Sequence, residues 1–350
     1  MKLKNKFILL FCIIVFGSFI LNLFFNSSND LINENKINGD SKLNNKFWDF
    51  NAINNSLNYD IKIDYNGIKY IIDPSKIKKG IAKPGDVKDI IPSIDNPKYQ
   101  KINEVDWIGD DELVLAIHYK GKKKVYPLQI LVWHEIVNDF IDGDPILITY
   151  CPLCGSGIAY HRVIDGNAVE FGTSGKLFNS NLVMYDRLTK SYWQQIDGNA
   201  IVGELTGFEL KEINIDTVVW FDYKNNNDDA IVLTRDTGAQ RNYGVDPYGS
   251  YYSDSFLIFD VENEDDRIHP KTPIWGVEIN GVTKAYKESD VKEVGFIIDN
   301  IAGVDIKIEM NDDGTSNIIN LNDNTKIVKE RDFRFAWYAF NPETKLYNIE

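Results

Sequence analysis

Two cysteines, Cys151 and Cys154, sit between two apolar runs that read as strands, Pro145-Ile146-Leu147-Ile148-Thr149 and Gly157-Ile158-Ala159-Tyr160-His161-Arg162-Val163. The linking segment, Tyr150-Cys151-Pro152-Leu153-Cys154-Gly155-Ser156, is therefore a tight turn that presents two thiols side by side. Such a pair either cycles between dithiol and disulfide or gives two thiolates to a metal. The chain has three cysteines in 350 residues, and Cys12 falls in an apolar N-terminal run. Two cysteines cannot staple a domain of this length, so the pair reads as functional rather than as a disulfide framework.

That N-terminal run sets the expected location. Lys2, Lys4 and Lys6 precede residues 7–25, which are almost continuously apolar and long enough to cross a bilayer of about 30 Å. The lysines favour a cytoplasmic N-terminus, and no small-residue cleavage site follows. The expected order is a cytoplasmic stub (1–6), an uncleaved transmembrane signal anchor (7–25), a polar linker (26–58) and an extracytoplasmic domain (59–350) in the cell membrane. The formal net charge of −14 excludes nonspecific nucleic-acid binding, which needs basic surface. The expected partners are the membrane, through the N-terminal helix, and a redox partner or small-molecule substrate.

Along the domain, alternation predicts a hairpin over Tyr59–Ile72 around Asn66-Gly67 and a second from Val114 to Tyr126 around Gly121. Pro127 then opens a predicted helix to Phe140, with Val132, Trp133, Ile136, Val137 and Phe140 on its apolar face. Phe335–Phe340 reads as a buried strand. Residues 114–150 align without gaps onto 274–310: Gly121, Lys124, Tyr126, Asp139 and Gly143 recur as Gly281, Lys284, Tyr286, Asp299 and Gly303. The expected fold is α+β, β-rich and mostly antiparallel, with a duplicated hairpin–helix–strand unit. In the second copy Val294, Asn311 and Gly314 replace His134, Cys151 and Cys154, so the first copy would carry the chemistry.

His134-Glu135-Ile136-Val137-Asn138-Asp139, Thr149–Ser156, Phe171-Gly172-Thr173-Ser174-Gly175, Asn181–Arg187, Asp246-Pro247-Tyr248 and Phe335-Ala336-Trp337 together resemble an uncharacterised family of exported bacterial and archaeal proteins, domain of unknown function 3179. The resemblance spans roughly Tyr59 to the C-terminus. It implies no assigned activity, and it implies that selenocysteine can stand at one cysteine position, which favours redox chemistry over a structural role.

The candidate catalytic residues are Cys151, Cys154, His134 and Glu135. His134 or His161 would stabilise a thiolate, with His134 the preferred partner, and Glu135 would act as a general base or orient His134. The pair leads into a strand and not a helix, unlike the thioredoxin arrangement. The alternative is a copper or zinc site built from Cys151, Cys154, His134 and His161, since a thiolate knuckle needs two more ligands to close. A non-catalytic binding module is the second alternative. Arg187, Arg241 and Tyr248 are candidate substrate contacts, the arginines for an anionic group. Gly-rich phosphate loops, nucleophile elbows and His-Glu-x-x-His motifs do not occur, which argues against nucleotide use and standard hydrolysis.

Overall fold

Two-residue turns set the architecture. Lys120-Gly121, Asp142-Gly143, Asn179-Ser180, Asn280-Gly281 and Ala302-Gly303 all have positive φ at both positions. That geometry matches the right-handed twist of paired strands and closes each segment on its neighbour as a tight hairpin. The computed structural model describes residues 60–348, and within them the fold is β-rich and mostly antiparallel. The anchor and linker expected over residues 1–58 lie outside the described residues. Among the described residues no helix is long and apolar enough to cross a membrane.

The sheet that carries the cysteines has four strands in the order Glu212–Ile213, Ser156–His161, Asp144–Cys151 and Ile136–Ile141, all antiparallel. Its central hairpin runs from the pair Ile146↔His161 to the pair Cys151↔Ser156, so the cysteine turn is one tip. A seven-stranded sheet supplies a facing hairpin, Phe171–Phe178 with Asn181–Asp186. A five-stranded sheet contains Leu113–Tyr119 and Lys122–Pro127, and its core includes Leu115, Ile117, Tyr126, Ile146, Ile148 and Ala159, all at 0% exposure. The Tyr59–Ile72 hairpin is shorter than expected: only Lys62–Ile63 and Lys69–Tyr70 pair.

The helix expected over Pro127–Phe140 is one turn, Leu128–Leu131, followed by the strand Ile136–Ile141. The β-branched residues and the Asp142-Gly143 turn outweigh the helical spacing, because the strand gains a full antiparallel ladder with Asp144–Cys151. The supposed polar face is buried and the supposed apolar edge is not: Asn138 and Asp139 are 1% and 3% exposed, whereas Phe140 is 54% exposed.

The C-terminal part runs Pro273–Ile279, Val282–Lys287, helix Glu288–Val294, Phe296–Ile301, Val304–Met310. Strand Glu330–Phe333 pairs with Pro273–Ile279 and leads into helix Arg334–Phe340. The segment expected as a terminal strand is thus a helix. It buries Phe335, Ala336, Trp337 and Ala339, a spacing in which positions 335, 336 and 339 share one face.

Candidate active site

The cysteine turn is a single 3-10 turn, Pro152–Cys154, ended by Gly155 in the left-handed region at φ 59°. A Cβ at Gly155 would meet the Phe333 ring at 2.8 Å, so the residue must be glycine for conformation and for space. Both thiols are free, and both are buried, at 2% (Cys151) and 0% (Cys154) exposure. Both donate to one acceptor, the Ser180 carbonyl, at 3.9 Å from Cys151 Sγ and 3.5 Å from Cys154 Sγ. Ser180 belongs to the two-residue turn of the facing hairpin, so two hairpin tips meet at this carbonyl.

A buried amide network backs the turn. Asn181 Nδ2 donates to Cys154 Sγ at 3.5 Å and to Gln195 Oε1 at 2.7 Å. Gln195 Nε2 donates to Thr149 Oγ1 at 3.0 Å, and Thr149 in turn to the Ile158 carbonyl at 2.9 Å. Burial pushes the Cys154 thiol well above the ordinary cysteine range, and the neighbouring Cys151 adds to this against the opposing bond from Asn181.

Glu135 occupies the junction between the helical turn and strand Ile136–Ile141, with φ 60°. A non-glycine residue in this region stores strain that the surroundings must hold. Here its N–H donates to the Leu131 carbonyl at 2.7 Å and its carbonyl accepts from Tyr150 N at 2.8 Å. Its side chain is 8% exposed, and burial raises its carboxyl from 4.5 to about 8. Tyr248 lies within electrostatic reach of both Glu135 and Cys151. Above the turn, Tyr248, Tyr251, Tyr252 and Phe333 form an aromatic cluster. Tyr251 fastens it by donating to the Leu153 carbonyl at 3.0 Å.

His134 is engaged on both ring nitrogens. Nδ1–H donates to the Pro92 carbonyl at 2.7 Å, which leaves Nε2 to accept from Tyr243 OH at 2.6 Å. The ring stacks on Tyr243 and burial lowers its pKa to about 4, so it is neutral. Neither nitrogen is directed to a thiol. His161 pairs with Ile146, at the far end of the hairpin from Cys151↔Ser156. Five residues of strand separate them, about 17 Å. The set Cys151, Cys154, His134, His161 is therefore not brought together. Among the described residues no group of three or more His, Cys, Asp or Glu could hold a metal ion.

Arg187 is committed to carboxylates, Asp95 at 2.6 Å and Glu170 at 3.1 Å, and to Ser93 Oγ at 2.8 Å. Arg241 donates to the Gln240 carbonyl at 2.9 Å and lies within electrostatic reach of His134. Of the candidate substrate contacts, only Tyr248 adjoins the cysteines. Sequence reading missed Ser180, Asn181, Gln195 and Tyr251. The Asn179-Ser180 pair between two alternating runs was the available signal for the facing turn.

No curated protein and no solved structure matches the chain. Residues 88–344, which span every residue of this site, match one family, and the chain belongs to it: the family described as "Protein of unknown function (DUF3179)".

Proposed function

We propose that the domain is a thiol oxidoreductase, tethered to the membrane by residues 7–25 and facing outward, in which Cys151 and Cys154 exchange with a disulfide substrate. The observation that carries this reading is the convergence of two free thiols on one carbonyl, with a buried glutamate of left-handed backbone, its carboxyl raised to about 8, bonded through its carbonyl to the residue before Cys151. Strain and a displaced carboxyl pKa concentrate where a protein does chemistry. In this scheme the ionised fraction of Glu135, which grows as pH approaches 8, takes the Cys151 proton, and the Cys151 thiolate attacks one sulfur of the substrate disulfide. One substrate thiol leaves. Cys154 then attacks Cys151 Sγ, the internal disulfide forms and the second thiol leaves, so two electrons pass to the substrate. The tyrosine cluster must open for substrate to reach the turn.

The test is intact mass of the full chain purified without reductant, then after reductant and after a small disulfide. A loss of two hydrogens that reductant restores, abolished in Cys151→Ser and in Cys154→Ser with melting unchanged, is expected. A pair that stays reduced under oxidant refutes the reading, as does a stoichiometric metal adduct lost on denaturation.

We also infer that residues 114–150 and 274–310 descend from one duplicated unit. Strand Leu113–Tyr119 corresponds to Pro273–Ile279, Lys122–Pro127 to Val282–Lys287, and Ile136–Ile141 to Phe296–Ile301, each at an offset of 160. The residues identical in the alignment make the same contacts in both halves. Lys124 Nζ pairs with Asp139 at 2.8 Å and Lys284 Nζ with Asp299 at 2.5 Å. Tyr126 OH donates to Asp139 at 2.6 Å and Tyr286 OH to Asp299 at 2.7 Å. The second half has no thiols, so it serves as scaffold. Removing the ion cluster in either half, by Asp139→Asn or Asp299→Asn, is expected to lower the melting temperature in both cases; an effect in one half alone would argue against equivalent roles.

A further inference from the structure

Asp332 is the buried charge that the scheme above leaves without a role. It is 0% exposed, and the polar side chains against its carboxylate are the Ser156 hydroxyl and Glu330, with no cation paired to it at ion-pair distance among the described residues. A buried carboxylate so weakly compensated is costly, and a fold retains one where something offsets the cost. Asp332 precedes Phe333, whose ring lies against Gly155, so its strand packs directly on the cysteine turn. The carboxyl sits beside the Ser156 hydroxyl and Glu330, and within electrostatic reach of Cys154.

Glu330, on the same face of the same strand as Asp332, lines a cavity of about 390 Å³ together with Asp197, Glu209, Glu212 and Glu278. Glu212 also acts electrostatically on Glu330, and Asp332 on Glu212. The nearby cations are spoken for: Lys329 Nζ pairs with Asp216 at 2.7 Å and Arg331 Nε with Glu288 at 2.7 Å. The groups acting on Asp332 are thus the Ser156 hydroxyl, Glu330 and the Arg331 guanidinium, with Cys154 and Glu212 within its electrostatic reach. This is a row of proton-holding groups from a buried thiol to a solvent-sized cavity.

We propose that Asp332 accepts the Cys154 proton during the second step of thiol exchange, and that Glu330 carries it on to the acidic cavity. The inference rests on the thiol reading. In atoms, the Cys154 S–H bond breaks and its proton goes to the Asp332 carboxylate. The thiolate attacks Cys151 Sγ of the mixed disulfide, the internal disulfide forms, and the substrate sulfur leaves as thiolate. Burial raises the Asp332 carboxyl to about 6, still low enough to be ionised at neutral pH and ready to accept.

The test uses the full-length reduced protein with 4,4′-dithiodipyridine, a small neutral disulfide that releases one coloured thione on attack by Cys151 and a second on resolution by Cys154. Wild type is expected to release both. In Asp332→Asn the first release should be unchanged and the second slowed about a hundredfold, the size of a general-base contribution. The substitution also removes a negative charge beside Cys154, which makes that thiol more acidic. A merely electrostatic or structural neighbour would therefore leave the second release as fast or faster, and that result would overturn the proposal. Glu330→Gln reads the same route with the Asp332 carboxyl retained and should slow the second release severalfold; an unchanged rate counts against the route. A wild type that releases no second equivalent removes the thiol reading, and this proposal with it.

Discussion

Replacing Glu135 with Gln tests the electrostatics of the site without altering its shape. The folded carboxyl titrates at about 8 and the unfolded one at 4.5, and burial is the cause. Below pH 4.5 both states are protonated and the group is neutral with respect to stability. Between pH 4.5 and 8 the unfolded chain releases the proton and the folded chain keeps it, so wild-type stability falls as pH rises. Above 8 both states are ionised and the loss is complete. At 1.36 kcal/mol per pH unit the total reaches about 5 kcal/mol, with about 3 kcal/mol of it between pH 5 and pH 7. Glutamine keeps the volume and the left-handed backbone but cannot ionise. Urea unfolding at half-unit pH steps should therefore show the variant gaining on wild type by about this amount as pH rises. The other buried carboxyls contribute equally to both proteins and cancel in the difference. Parallel stability profiles from pH 5 to pH 8 would show that Glu135 is not a buried, uncompensated carboxyl, and would remove it as the base for Cys151.

Gly155→Ala combines a left-handed backbone penalty of about 1–2 kcal/mol with overpacking against Phe333 of about 1–3 kcal/mol, so calorimetry should show a loss of about 2–5 kcal/mol. Tyr251→Phe deletes the hydroxyl that fastens the aromatic cluster to the Leu153 carbonyl; with about 1 kcal/mol less to open, thiol reaction with a small disulfide should quicken about fivefold, and an unchanged rate would mean the cluster is not the cover. Asn181→Leu strips donors and acceptors from Cys154, Gln194, Gln195 and Ile196 N; a loss of at least about 2–4 kcal/mol is expected in urea melts.

The residues that act locally were legible. The cysteine turn is framed by two unbroken β-rich runs, and Gly155 supplies the one conformation that ends the turn. Glu135 stands out from the sequence as a helix residue beside His134, whereas the structure makes it a junction residue with a left-handed backbone. The spacing of Val132, Ile136, Val137 and Phe140 fits a helix and a strand about equally well over so short a run. Asp142-Gly143 decides for the strand, and its weight as a hairpin signal exceeds that of Pro127. Phe335–Phe340 failed in the opposite sense, because an all-apolar run has no period to read. What no local pattern could reveal is convergence. Ser180 and Asp332 are 26 and 178 positions from Cys154, and only the pairing of separate hairpins and sheets brings them to it.

The shared Ser180 carbonyl also makes the oxidation state a property of the backbone. Closing a disulfide between Cys151 and Cys154 would remove both S–H donors at once and leave a buried carbonyl facing two sulfurs that cannot donate. An acceptor stranded in this way costs about 1–3 kcal/mol, and the turn Asn179-Ser180 holds it by only two residues. Were the pair to oxidise, the change would be registered as loosened seating of the facing hairpin, which amide exchange at Ser180 and Asn181 would report.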